Sequence, residues 1–326
     1  MGLSRRNFLK GAAAGGAAAA TCAAVATVPA EARENKAMPP KAVGLLYDST
    51  LCVGCKACVV ACRDANGMHP EFSTEEKLWD TPLDLSGYTL NVIKMYEEGT
   101  SDHKDQEKNG FAFIKKSCMH CVDPSCVSVC PVTAMTKDEQ TGIVSHNPDA
   151  CIGCRYCVVS CPFGVPRFQY DTPTPRIQKC QMCKHRQAEG KIPACAEVCP
   201  TGATLFGPVD AIKAETDRRH GLTPGQPALF PRKTVDGFAD GHEKPAALYQ
   251  AKTYGETEMG GTQMRLLSGV PYEKLGYPAL GPDSNASASE SIQHGIYKGM
   301  VAPVAVLAGL VYAAHKHTKH DGRDED

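Results

Sequence analysis

This sequence predicts a mixed α+β fold organised around clustered cysteines, with a single membrane-spanning helix near its C-terminus. Three observations predict it. Sixteen of the 17 cysteines fall into four tight quartets, short apolar runs of strand character lead into three of them, and an apolar stretch lies close to the end of the chain. With 326 residues and 42% hydrophobic content the chain can bury a core of its own, which argues against a small secreted domain stapled by disulfides.

The first element is a leader. Ser4-Arg5-Arg6-Asn7-Phe8-Leu9-Lys10 is a twin-arginine pattern, followed by a weakly apolar Ala/Gly-rich stretch and an Ala-x-Ala site at Ala30 and Ala32. Residues 1–32 therefore read as a cleavable export signal. That route carries folded proteins, so metal-bound thiolates would reach an oxidising compartment already occupied. Cys22 lies in this leader behind Thr21, which does not suit a lipoprotein site, and reads as inert.

After a Pro- and charge-bearing lead-in over residues 31–43, residues 44–48 read as a strand running into the first quartet, Cys52, Cys55, Cys58 and Cys62. Residues 63–110 form an insertion carrying the lone tryptophan, Trp79, assigned to packing. Residues 111–114 form a strand ahead of the second quartet, Cys118, Cys121, Cys126 and Cys130. Residues 142–145 do the same for the third, Cys151, Cys154, Cys157 and Cys161, and the fourth is Cys180, Cys183, Cys195 and Cys199. Quartets one and three share C-x2-C-x2-C-x3-C, whereas two and four each lengthen one spacer. Pro131, Pro162 and Pro200 follow three of the closing cysteines, and Arg63 follows the other.

The spacing has a mechanical reason. Thiolates two residues apart let a short loop wrap one corner of an iron–sulfur cube while backbone N–H groups turn toward sulfur. The run is that of bacterial ferredoxins holding [4Fe-4S] clusters, in which the last cysteine ligates the other cluster of a pair. Proline after it redirects the chain. Zinc prefers two separated C-x2-C pairs and leaves the further cysteines of each run surplus. Disulfides between such near neighbours would be strained. Four clusters would add about −8 to a formal net charge of −1. Lys56, Arg63, Lys115, Lys116, Arg155, Lys179, Lys184 and Arg186 beside the cysteines either offset that charge or are solvated surface groups. The charge balance argues against nucleic acid as a partner. His120, between two cysteines, reads as an exposed neighbour with no metal role. Val53, Val59, Val127, Ile152 and Val158 read as residues that keep water out, a role compatible with ordinary core.

Beyond the quartets, residues 209–220 read as a helix closed by Gly221, residues 262–267 as a strand, and residues 282–291 as a polar linker. Residues 296–314 are apolar apart from Tyr297 and Lys298, and as a helix would span about 28 Å, close to a bilayer core. His315, Lys316, His317, Lys319 and Arg323 follow, which places the C-terminus on the cytoplasmic side. A buried helix of a globular core is the alternative. The chain thus divides into a signal (1–32), a four-cluster region (33–209), an extension with linker (210–291) and an anchor with tail (292–326).

Quartets two and three lie close in sequence and resemble one two-cluster ferredoxin unit, with quartets one and four as an outer unit. That resemblance implies one cluster on Cys118, Cys121, Cys126 and Cys161 and its partner on Cys151, Cys154, Cys157 and Cys130. The outer unit would hold one on Cys52, Cys55, Cys58 and Cys199 and another on Cys180, Cys183, Cys195 and Cys62. More widely, the chain resembles the four-cluster electron-transfer subunits of membrane oxidoreductases, in particular those serving periplasmic [NiFe] hydrogenases. The stretches carrying this are Leu45-Leu46-Tyr47-Asp48-Ser49-Thr50-Leu51-Cys52-Val53-Gly54-Cys55 and Lys115-Lys116-Ser117-Cys118-Met119-His120-Cys121-Val122-Asp123-Pro124. Gly260-Gly261-Thr262-Gln263, Gly269-Val270-Pro271-Tyr272-Glu273 and the segment from Gln293-His294 to Lys298-Gly299-Met300 join them. The resemblance implies two interleaved bacterial ferredoxin-type units (2×[4Fe-4S] each) with insertions, and four [4Fe-4S] clusters. It implies a non-catalytic relay on the periplasmic side of the inner membrane, with the small and large subunits of a [NiFe] hydrogenase and an integral quinone-reducing subunit as partners. A formate dehydrogenase or molybdenum reductase partner is the alternative, and a structural zinc or disulfide module the remote one.

Overall fold

A computed structural model describes residues 32–70, 81–173 and 176–318. The leader and Trp79 lie outside the described residues.

The apolar run Val43–Asp48 forms strand β1 and sends alternate side chains to two cores. Leu45 and Tyr47 face the larger one, while Leu46 packs with Leu205, Ile212, Val235 and Leu267 in the smaller. Helix α1 (Ala57–Ala65) follows the first two cysteines of the quartet and carries Cys58 and Cys62 on its buried face. It continues through Arg63, whose Nη2 donates to Thr89 Oγ1 at 2.7 Å. The helical turns before Pro131, Pro162 and Pro200 stop short of those prolines. Strands β2 (Val92–Glu97) and β3 (His103–Lys104) of the insertion flank β4 (Gly110–Lys116), which leads into the second quartet, in a sheet of order β2-β4-β3.

Helix α2 (Ser125–Ser128) bears Cys126, strands β5 (Met135–Lys137) and β6 (Val144–His146) form an antiparallel hairpin, and helix α3 (Tyr156–Ser160) bears Cys157. The pair β7 (Arg167–Phe168) and β8 (Ile177–Gln178) leads to helices α4 (Lys184–Ala188) and α5 (Ala194–Glu197), the latter bearing Cys195. Then come β9 (Thr204–Pro208), α6 (Val209–His220), the pair β10 (Pro227–Phe230) and β11 (His242–Pro245), β12 (Met264–Leu267) and α7 (Asn285–Thr318). Helix α6 has the expected bounds, but Gly221 closes it at φ −78° by donating to the Asp217 and Arg218 carbonyls, so no left-handed residue is involved.

Residues 35–286 form one body, which takes in the cysteine region and most of the extension. The reason is an open sheet edge. β12 pairs in parallel with β1, Leu45 opposite Met264, while β9 pairs antiparallel on the other side. Residues 282–291 are not all linker, since α7 begins at Asn285. Ser284 acts as its N-cap, accepting the Ala286 N–H at 3.0 Å, and is itself held by Asn35 Oδ1 and the Asp123 carbonyl. Within α7 the stretch Asn285–Tyr312 contains an 18-residue window of mean hydropathy 1.5 and is long and apolar enough to cross a membrane.

Candidate metal centres in four cysteine sets

The cysteine loops repeat one backbone device. The residue just before the second cysteine of each quartet has positive φ: Gly54 at 69°, His120 at 48°, Gly153 at 70° and Met182 at 50°. This left-handed turn reverses the chain so that N–H groups point at sulfur. The Gly54 N–H reaches Cys52 Sγ at 3.4 Å, and the Met182 N–H reaches Cys180 Sγ at 3.3 Å. At Gly54 a Cβ would sit 2.4 Å from the Phe113 ring, so both the dihedral and the space require glycine.

Helix packing then brings quartets together in crossed fashion. α1 packs against α5, and α2 against α3. Cys199 joins Cys52, Cys55 and Cys58 around a small cavity also lined by Tyr47 and Ile93. Cys62 joins Cys180, Cys183 and Cys195 around another lined by Leu45, Asn91 and Lys115. Cys130 joins Cys151, Cys154 and Cys157 around a third lined by Met135, His146 and Ile177. The Cys121 thiol is pushed well above its ordinary value by burial and then by the neighbouring sulfurs of Cys161, Cys118 and Cys126, which form the fourth set.

The sets also follow one another. Cys58 lies within electrostatic reach of Cys195, Cys180 of Cys118, and Cys126 of Cys157. The order runs from the Cys52 set through the Cys62 set and the Cys118 set to the Cys151 set. Among the described cysteines only Cys55 and Cys154, one in each terminal set, are exposed.

The donor chemistry fits iron–sulfur cubes. All sixteen described cysteines are free thiols. Burial pushes Cys58, Cys62 and Cys126 up to about 12 and Cys157 to about 11. Such sulfurs give up protons only to a bound cation, which deprotonates a coordinating thiol outright. Among the described residues no three His, Cys, Asp or Glu side chains close to the spacing of a single ion. The sulfurs surround cavities instead of meeting at a point, which suits a four-iron cube better than one zinc.

Some neighbours differ from expectation. Val59 is buried, but Val53 and Ile152 are 51% and 65% exposed. His120 is fully buried, not exposed. Its left-handed backbone aims the ring beneath β6, where Nδ1 accepts the Val144 N–H at 3.1 Å, and burial holds the ring well below its ordinary pKa, with Lys179 and Lys137 adding to the effect. Of the eight cations beside the cysteines, Lys115, Lys179 and Arg63 are buried while Arg155 and Lys184 are exposed. Spacing alone carries no signal that separates them.

Comparison with known proteins agrees on the chemistry. Residues 51–134 and 110–209 each match a family described as a 4Fe-4S dicluster domain, and residues 2–21 match the twin-arginine translocation pathway signal sequence. The chain is 46% identical to the hydrogenase-2 operon protein HybA of Escherichia coli O157:H7, over 99% of both chains. It is 32% identical to the iron-sulfur subunit of the nitrate-inducible formate dehydrogenase of Escherichia coli K12, over 88% of this chain and 87% of that one. The formate dehydrogenase iron-sulfur subunit of Haemophilus influenzae is 31% identical over 91% of this chain and 85% of its own.

Proposed function

The chain belongs to the family of exported 4Fe-4S dicluster proteins that includes HybA, and from that premise we propose that it relays single electrons from a [NiFe] hydrogenase to an integral membrane quinone-reducing subunit. The sixteen cysteines, in the four crossed sets, would hold four [4Fe-4S] clusters. Each bound cube would supply reversible one-electron chemistry, at potentials that proteins tune between about −700 and +450 mV. The observation that carries the reading is the unbroken succession of sulfur sets ending in an exposed cysteine at either end.

The chain's own residues do the rest. The left-handed turns aim N–H groups at sulfur, and hydrogen bonds of this kind tune cluster potential. Met135 N–H to Cys130 Sγ at 3.4 Å and Asn66 Nδ2 to Cys62 Sγ at 3.7 Å add to them. Leu45, Ile93 and Ile177 exclude water from the cavities. Cys55 and Cys154 bring the outermost sets to the surface, where electrons would pass to and from partners. No bond-making step is assigned to this chain, and turnover belongs to its partner. Helix α7 would anchor it to the membrane, with the signal placing the body on the periplasmic side. A formate dehydrogenase partner is less well supported, because that resemblance is weaker and covers less of the chain.

Anaerobic purification from membranes tests the reading. The full chain should carry about sixteen irons and co-isolate with a nickel protein. Co-isolation with a molybdenum protein would favour the second partner, and a colourless, iron-free chain would refute the relay. The crossed pairing has its own test in Cys161→Ser. The paramagnetic signal lost should be the one lost in Cys121→Ser, and loss of the Cys154→Ser signal instead would overturn the pairing.

A further inference from the structure

Lys115 lies on β4 opposite Ile93, its side chain entirely removed from solvent. A bare buried ammonium is expensive, and buried charges are normally paired or set against a metal site. Elsewhere this chain answers the same cost in the ordinary way. The equally buried Arg219 donates to Asp48 Oδ2 at 2.6 Å and to Glu215 Oε1 at 2.7 Å. Lys115 has no carboxylate partner among the described residues. Its Nζ donates to the Thr204 hydroxyl at a long 3.4 Å and hydrogen-bonds the Cys195 thiol. What surrounds it is sulfur: it lines the cavity of Cys62, Cys180, Cys183 and Cys195 and faces Cys195, Cys58 and Cys180. Lys179 differs, since its ammonium is satisfied by the Val144 and Cys180 carbonyls at 2.5 and 2.9 Å and meets sulfur only at 3.9 Å, at Cys118 Sγ.

Resting on the relay reading, we propose that Lys115 is the fixed counter-ion of the cube held by Cys62, Cys180, Cys183 and Cys195, and that its charge raises the reduction potential of that centre. Four thiolates around an oxidised cube carry about −2 together, and one added electron makes this about −3. The electron comes from a neighbouring set, and no bond forms or breaks. A nearby positive charge in a dry cavity is attracted more strongly to the reduced form, so it favours reduction. Because this set is second in the succession, Lys115 would hold the electron inside the wire instead of at its exposed end.

The test is redox potentiometry with low-temperature paramagnetic resonance on the purified full chain, comparing wild type, K115M, K115Q and K115R. The signal of this set is identified by its loss in Cys183→Ser. In K115M its midpoint should fall so that the ratio of reduced to oxidised centre at fixed ambient potential drops at least tenfold, 59 mV for a one-electron couple. The other signals should move less, and K115R should stay near wild type. An unchanged midpoint in K115M, with its clusters intact, overturns the proposal. If K115M loses this cluster, K115Q is read in the same way. Loss in both neutral variants with retention in K115R supports a requirement for charge, while loss in all three overturns it in favour of shape. Absence of four centres from the wild type would instead refute the relay reading itself.

Discussion

Two buried cations, less than a strand's width of chemistry apart in kind, show how this chain handles charge. Arg219 sits on α6 against β1, paired with Asp48 and Glu215 and lying over the Phe230 ring at 5.2 Å. Tyr249 completes the group by donating to Asp48 Oδ2 at 2.7 Å. Lys115 sits on β4 with sulfur in place of carboxylate. The first site is self-contained: with Arg218 also paired to Glu215, two cations meet two carboxylates within the polypeptide. The second has no carboxylate partner among the described residues, and in the proposed relay a negatively charged cube would supply the counter-charge. The contrast separates a site built for stability from one built for a cofactor.

The largest test of that contrast is Arg219→Met. It leaves the buried Asp48 carboxylate without its ion-pair partner, while Glu215 keeps Arg218, and should cost on the order of 3–5 kcal/mol, read as lost amide protection along β1 by hydrogen exchange. A loss below about 1 kcal/mol would mean the network is not what holds α6 to the sheet. A smaller effect is expected at the Lys115 site from Tyr277→Phe. The buried Tyr277 hydroxyl donates to the Lys115 carbonyl at 2.5 Å, and its removal should cost on the order of 1–2 kcal/mol. Protection should fall in β4 while β1 near Asp48 stays unchanged; a uniform fall would erase the distinction between the two regions.

The smallest effect lies at an exposed charge, which sharpens the comparison by removing burial. Asp138, in the turn between β5 and β6, is held below its ordinary value of 3.8 by the Thr141 N–H first and the Thr141 hydroxyl next. Those bonds measure 2.6 and 2.8 Å. A carboxyl with a lowered folded pKa contributes stability that is fully present above its ordinary value and is lost as pH falls through the lower folded one. The Thr141 amide resonance should therefore hold steady from neutral pH down to the ordinary carboxylate range and shift only below it. A shift centred above that range would contradict the assignment.

Much of the architecture was legible because its causes are local. The strand ahead of the first quartet is an apolar run, the strand ahead of the second alternates short apolar and aromatic residues, and both form where expected, as Val43–Asp48 and Gly110–Lys116. The third expected strand forms two residues later, at Val144–His146, because Gly142 sits in the turn of the hairpin at φ 70°. The helix at Val209–His220 follows from its own polar pattern. Less legible were features set by partners far along the chain. Nothing near Met264 announces that its strand closes the edge of β1, and nothing near Ser284 announces a helix cap anchored by Asn35. His120 looked like a surface residue because two cysteines flank it, yet the handedness of its backbone turns it inward.

By itself the sequence determined which sulfurs share a loop, which chemistry such loops suit, and where the chain is sent, because each rests on residues a few positions apart. Only the tertiary structure decided which distant cysteine stands beside which loop, in what succession the four sets lie, and that Lys115 is buried among sulfurs while Lys184 is left in water. Spacing acts through the covalent chain over a turn or two. Burial and electrostatics act through space, and the packing of α1 on α5 and of α2 on α3 is what makes remote residues neighbours.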